Sequence, residues 1–364
     1  MNGLFFSFEI IFNLFNPPRE PAKTNQSNRF ASGSFAISYE NSSVLPLKGI
    51  LGLKKDRKYK KHSKADVSEI KMMLNYDAPL YRPPSEARSL IFQVTLGCSF
   101  NECSFCDMYR SKEYSERPWE EVKAEIDMMA NYLPDTRRVF LADGDALNID
   151  SEYMVKILKY IREKFSNIER ISCYAMPMNI LKKTPEELKK MNEAGLDMFY
   201  LGIESGSDIV LKKVTKGAIS KTIIKSVNKA KEAGYVMSCM VILGLGGRTY
   251  SKEHIKGTAE VISACSPNYV GALTLYLENG IKQEFLDKFE GEFIKINDDE
   301  SLEELYDLIS QIETNEEIVF RANHGSNAYT IKGTFPQDKQ DMLDKIEWMK
   351  QHPEIMRPQG LRGF

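Results

Sequence analysis

QVTLGCSFNECSFCDMYR, residues 93–110, overlaps the end of an apolar, strand-like run, RSLIFQVT (88–95), and gathers Cys98, Cys103 and Cys106 into one short loop. Three thiolates can hold three irons. A [4Fe–4S] cluster held in this way keeps one iron open to a further ligand, whereas a structural zinc takes four side chains. No fourth cysteine lies close by: Cys173, Cys239 and Cys265 are scattered through apolar stretches and read as small buried core residues. The spacing therefore predicts a cluster with an open iron. The alternatives are three reduced thiols, or a zinc completed by a distant fourth ligand.

Outward from this loop, short apolar runs alternate with helical patterns. After the strand before Cys98 come a helix over PWEEVKAEIDMMANYL (118–133, with Pro118 in its first turn), a strand RRVFLAD (137–143) and a helix SEYMVKILKYIREKF (151–165). Next are a strand RISCYAM (170–176) and a helix TPEELKKMNEAG (184–195), where Thr184 caps, Pro185 starts and Gly195 ends the helix. A strand DMFYLGIES (197–205), a helix over 218–234 and a strand YVMSCMVILGLGG (235–247) lead to a helix over 251–264 and a strand NYVGALTLYL (268–277). Six β/α units at this pace mean parallel strands joined by right-handed crossovers. A doubly wound sheet would share the pattern. The placement of Cys98, Asp145, Glu204 and the glycine-rich turn 244–247, each just past a strand end, favours an α/β barrel with its chemistry on the carboxyl rim.

These motifs together resemble the radical S-adenosylmethionine (SAM) superfamily, over about residues 88–280. The resemblance rests on the CxxxxCxxC loop with Phe105 before its last cysteine and Tyr109 after it, and on the order of the elements that follow. It implies a partial (β/α)6 TIM-like barrel, a [4Fe–4S] cluster on Cys98, Cys103 and Cys106, and SAM as the guest on the open iron. It further implies reductive cleavage of SAM to a 5′-deoxyadenosyl radical, oxygen sensitivity, an unidentified substrate, and an electron donor such as flavodoxin or ferredoxin. The commonest family spacing is CxxxCxxC, so this loop has one extra residue.

In the same comparison LADGDAL (141–147) matches the element whose acidic residue accepts from SAM's amino group. This assigns Asp145, with Asp143 as competitor; without the resemblance D-G-D reads as a turn. GIESGSDIVLKKVTKG (202–217) resembles the stretch after the fourth strand in the branch holding the anaerobic coproporphyrinogen oxidases, methylthiotransferases and elongator catalytic subunit. There Glu204 and Ser205 would face SAM; alone, the pattern is a helix N-cap. VILGLGG (241–247), with Gly244, resembles the strand that packs against adenine, although a tight turn also explains it. Thr274 in ALTLYLENG (272–280) stands where a sixth-strand adenine contact would be, and Phe105 completes the cofactor-binding set. Past these motifs, FRANHGSNAY (320–329) crowds polar side chains at a strand end. Arg321 suits an anionic substrate group and His324 proton transfer, against the reading of a polar turn capping itself; His62, His254 and His352 look solvated.

The chain has 364 residues, 42% of them hydrophobic, with formal net charge −2. That supplies a sizeable core and gives no global attraction to nucleic acid or an anionic membrane. Cysteine usage fits no extracellular disulfide framework and points to a reducing compartment, the cytoplasm. Residues 1–72 read as a poorly ordered extension, 73–280 as the core barrel and 281–364 as a C-terminal α/β extension closing the barrel or touching substrate. In the first segment, LFFSFEIIFNLF (4–15) is too short and interrupted to span a membrane or act as a secretory signal, which leaves a surface helix. The basic run KKDRKYKKHSK (54–64) is where any RNA contact would lie, and Met72 and Met73 offer a later start. Two rival functions fit less of the pattern: a zinc-dependent barrel hydrolase, and a noncatalytic iron–sulfur or RNA-binding module.

Overall fold

The computed structural model describes residues 74, 76–277 and 279–362. The expectations for residues 1–72, including the run 54–64 and His62, lie outside the described residues. By contact density the chain divides into two units. In the first (1–75 and 83–88) the described part holds one 3-10 turn, Pro84–Glu86; everything below belongs to the second.

The elements follow the alternation of the sequence. They are β1 (Leu90–Gln93), a small hairpin of β2 (Thr95–Leu96) and β3 (Ser115–Glu116), α1 (Trp119–Tyr132), β4 (Arg138–Ala142), α2 (Ser151–Lys164) and β5 (Arg170–Tyr174). Then come α3 (Pro177–Lys182), α4 (Pro185–Glu193), β6 (Met198–Glu204), α5 (Asp208–Lys213), α6 (Ser220–Glu232), β7 (Val236–Leu243), α7 (Ser251–Cys265) and β8 (Tyr269–Thr274). The extension adds α8 (Asn279–Phe289), α9 (Asp298–Gln311), β9 (Ile318–Ala322), β10 (Ile331–Phe335) and α10 (Lys339–Lys350).

Among the described residues the main sheet has eight strands in the order β1-β4-β5-β6-β7-β8-β9-β10, parallel through β9 and antiparallel only at β10. An order that never reverses has no switch point, so right-handed crossovers place the helices on one face and the sheet curls. This excludes the doubly wound alternative. The terminal strands β1 and β10 do not pair, which leaves a partial barrel. Within the C-terminal extension EIVFRAN (317–323) holds β9, the seventh parallel strand of the sheet, and β10 adds an antiparallel strand at its edge.

Local chemistry explains the helix ends. Thr184 Oγ1 accepts from the Glu187 N–H at 3.1 Å while the Glu187 carboxylate accepts from the Thr184 N–H at 2.6 Å, a reciprocal cap. Gly195 and Gly234 end α4 and α6 at φ +105° and +93°, where a side chain would strain the backbone. Pro118 is the cap of α1, one residue ahead of the first turn expected for it. Along β7 the residues alternate: Met237, Cys239, Val241 and Leu243 are buried, while Val236, Ser238, Met240 and Ile242 are half-buried. The second set looks into the barrel, where Val236 and Met240 meet Ile91, Phe140, Met198 and Tyr200. Cys173, Cys239 and Cys265 are buried, as their apolar surroundings implied.

Candidate cofactor site

The cysteine loop leaves β1 and is fastened to the end of β4 by the two aspartates of the D-G-D turn, which do different work. Asp143 is fully buried and its Oδ2 accepts from Lys112 Nζ at 2.7 Å and from the Gly97 N–H at 3.2 Å. Gly97 has φ +71° and turns the chain into the loop. Lys112 also donates to the Asp77 carbonyl at 2.6 Å, so its ammonium is consumed. Gly144 has a packing reason: a Cβ there would stand 2.4 Å from a Tyr109 ring carbon. Asp145 is equally buried and accepts from Ser99 Oγ inside the loop. The Oδ1 of each aspartate has no hydrogen-bond partner, so what separates the two is the Lys112 ammonium on Asp143 against a hydroxyl on Asp145. Burial pushes both carboxyls above the ordinary aspartate range; Lys112 opposes this most at Asp143 and Ser99 most at Asp145.

On its other flank the loop leans on the turn after β6. The Ser104 N–H and Oγ donate to the Val214 carbonyl at 3.1 and 3.3 Å, and the Phe100 ring fills the space beside Gly217. Phe105 packs partly buried against Val210, Val214, Leu245, Leu275, Phe285 and Phe289. Glu204, at the end of β6 with φ +62°, accepts from Lys216 Nζ at 2.9 Å, and that ammonium lies 5.8 Å from the Phe105 ring centre. The three thiols are half-buried and feel one another. Desolvation raises all three, Cys106 to about 12, while Lys216 favours the thiolates of Cys98 and Cys103 and Arg110 that of Cys103. Among the described residues no three His, Cys, Asp or Glu side chains converge where a single ion could sit.

Beyond Glu204 the expected contacts are largely occupied by protein, although the buried Nε of Arg321 has no hydrogen-bond partner. The Ser205 hydroxyl donates to His254 Nδ1 at 2.8 Å and accepts from the Ser207 N–H. His254 Nε2 donates to the Ile242 carbonyl at 3.0 Å, which fixes the tautomer. His254 was expected to be solvated; it is buried, and desolvation lowers its pKa to about 4. Its position on the inner face of α7 is the cause, whereas His352 is 40% exposed in its side chain, as expected. Gly244, at φ +80°, donates its N–H to Glu304 Oε2 at 2.6 Å, and a Cβ there would meet Ile296 at 3.0 Å. Thr274 Oγ1 donates to Asn327 Oδ1 at 2.9 Å and its N–H to Ser326 Oγ at 3.1 Å. Arg321 Nη1 donates to the carbonyls of Phe320 and Gly333, and His324 Nδ1 takes the N–H of Ser326 and pairs with its hydroxyl at 2.9 Å. Burial lowers both groups' pKa.

The family model of the Radical SAM superfamily matches residues 92–262, from within β1 to within α7, and so includes the three cysteines, Asp145, Glu204 and the glycine turn. Just under half of the chain is thus similar to the radical SAM superfamily. The cofactors of that superfamily, a [4Fe–4S] cluster and SAM, are therefore its cofactors. Their fit to the site is supported by three half-buried thiols in one short loop and by the orphaned Asp145 oxygen beside it. Thr274, Arg321 and His324 lie beyond the matched segment.

Among curated proteins the chain is 25% identical over 169 residues to the heme chaperone HemW of Bacillus subtilis (strain 168), covering 44% of this chain and 45% of that protein. It is 22% identical over 203 residues to heme chaperone HemW of Buchnera aphidicola subsp. Schizaphis graminum (strain Sg), covering 50% and 53%. The chain thus spans about half the length of the curated relatives it matches. Of solved structures, coproporphyrinogen III oxidase (HemN) from Escherichia coli superposes with TM-score 0.48 at 15% identity, covering 67% of this chain and 55% of that one. No helix among the described residues is long and apolar enough to cross a membrane.

Sequence reasoning did not find Lys112, Lys216, Arg110 or Glu304. Lys112 meets Asp143 across 31 positions and Glu304 meets Gly244 across 60, so neither pairing leaves a local pattern.

Proposed function

We propose that this chain is an enzyme that cleaves SAM reductively and uses the resulting radical on a substrate it holds in the barrel. Bound cluster and SAM supply the one-electron chemistry; the protein binds, orients and shields. Cys98, Cys103 and Cys106 carry the cluster, and cluster binding must displace their protons, which burial otherwise retains. The observation that carries the reading is the buried Asp145, held beside the cysteine loop by the Ser99 hydroxyl with one oxygen unpartnered, whereas Asp143 is already met by the Lys112 ammonium. Such a carboxylate is costly unless a cation or donor meets it, and an ammonium on SAM would do so.

Glu204 and Lys216 form a charge pair facing the loop, placed to meet the polar parts of the same ligand. Ser205, next to Glu204 in sequence, is tied to His254, and Phe105, Gly244 and Thr274 are assigned to the same cofactor. Arg321 is assigned to an anionic group of the substrate and His324 to proton transfer, with electrons supplied by a flavodoxin- or ferredoxin-type donor in the cytoplasm. The relatives named as heme chaperones favour a second reading, a heme carrier built on the same core.

One experiment separates them. Anaerobic reconstitution with iron and sulfide, followed by SAM and dithionite, is expected to yield 5′-deoxyadenosine. A chain holding about four irons that binds heme and releases no 5′-deoxyadenosine would sink the enzymatic reading.

A further inference from the structure

We propose that Arg110 sets the shape of the cysteine loop, and that α8 holds Arg110 in place, so that the C-terminal extension governs how firmly the cluster is kept. The inference rests on the radical SAM reading and goes beyond it, because the resemblance gives no role to Arg110 or to Glu284 and Lys288 of α8.

The guanidinium of Arg110 reaches three peptide carbonyls of the loop. Nε donates to Cys106 O at 3.2 Å, Nη2 to Cys103 O at 2.8 Å and Nη1 to Asn101 O. Two of these carbonyls belong to cluster-bearing cysteines. Only arginine offers several donors in one rigid plane, so a single side chain fixes the relative positions of three peptides. The peptide at Asn101 needs fixing, because Asn101 has φ +46°, and its side-chain amide adds a bond to the Tyr109 carbonyl at 2.9 Å. Between Gly97 and Tyr114 the loop has no helix or strand of its own, so these contacts replace a ladder.

Arg110 is itself held from outside the loop. Its Nη2 meets Glu284 Oε1 of α8 at 2.9 Å, and Lys288, one turn further along α8, meets the same Glu284 oxygen at 2.8 Å. Lys288 also donates to the Glu102 carbonyl at 3.1 Å and pairs with the Glu102 carboxylate at 3.0 Å. The helix therefore grips the loop at two points, one on each side of Cys103. The Arg110–Glu284 pair is partly exposed, so its own contribution is small and its effect is to hold the guanidinium in one rotamer. A fixed cation at this distance also favours the extra negative charge that cluster reduction brings.

The test uses the full chain after anaerobic reconstitution and reads two quantities that do not depend on turnover: the rate at which a chelator removes iron, and the midpoint potential of the cluster by redox titration. Arg110→Ala is expected to release iron about tenfold faster and to shift the potential to more negative values. Arg110→Lys keeps the charge without the planar fork and is expected to lose iron nearly as fast as Arg110→Ala while keeping more of the potential. Glu284→Gln, on the helix and outside the loop, guards against a loop variant that simply fails to load; it should release iron about two- to threefold faster. Wild-type release rates in Arg110→Ala and Arg110→Lys would overturn the role of Arg110, and a wild-type rate in Glu284→Gln would overturn that of α8. A wild-type chain that takes up no cluster would overturn the functional reading beneath them.

Discussion

The carboxyl rim of the barrel has two unlike sectors. At the ends of β1, β4 and β6 the loop 97–112 is pinned through Asp143 and Lys112, yet Asp145 keeps an oxygen without a partner beside three thiols. At the ends of β7 and β8 the corresponding polar groups are paired within the protein. Glu304 takes the Gly244 N–H and the Ser251 hydroxyl, and Asn327 and Ser326 take Thr274. A buried orphan is expensive, and a satisfied group has little left to offer. The difference teaches where ligand chemistry resides: the first sector is built to receive polar groups, and the second to be a wall whose order comes from the C-terminal extension.

The largest effect that could break this contrast is loss of the cluster. Cys103→Ala leaves two thiolates, and iron after anaerobic reconstitution should fall from about four per chain to below about one. Retained iron and colour would show that the ligands are elsewhere. Next come the two aspartates, which the contrast separates. Asp145→Asn removes a buried carboxylate whose bonded partner is the Ser99 hydroxyl, and should weaken SAM binding by about 10- to 100-fold in equilibrium titration of the reconstituted protein, with the cluster kept. Asp143→Asn instead breaks a buried ion pair with Lys112, whose side chain is 3% exposed. It should cost about 3–5 kcal/mol of stability, read as a lower midpoint in urea. Equal behaviour of the two variants in both measurements would erase the distinction.

Most of the fold was legible because parallel β/α units repeat on a local scale. Caps such as Thr184–Glu187 lie within one turn, and apolar runs such as RVFLA need no distant partner to be recognised. The limit was reached in the extension, where β9 and β10 are short and β10, with Gly333 at its centre, has a weak strand signal. In the site, the cysteine spacing was readable because three ligands share nine residues. The choice between Asp143 and Asp145 was not, since it turns on Lys112 and Ser99, whose partners lie 31 and 46 positions away. His254 misled for the same reason: its neighbours in sequence are polar, and its burial comes from Ser205 and Ile242.

The smallest effect sharpens the second sector. Glu304, on α9, is raised to about 7, chiefly by burial, which outweighs the Ser251 hydroxyl and the Gly244 N–H. An unfolded glutamate ionises near ~4.3. Between those values the folded chain holds a proton that the unfolded chain has released, so this group makes stability fall as pH rises from about 4.5 to about 7 and adds no slope above. Its share over that window is on the order of 3–4 kcal/mol. Glu304→Gln is neutral throughout, and its amide can still accept from Gly244 and donate to Ser251 Oγ. Urea unfolding at about pH 5 and about pH 7.5 should therefore show a smaller pH-dependent loss in the variant than in the wild type. An unchanged difference would mean that the wall around Gly244 holds an ionised carboxylate and is more open to water than its packing against Ile296 and Leu275 indicates.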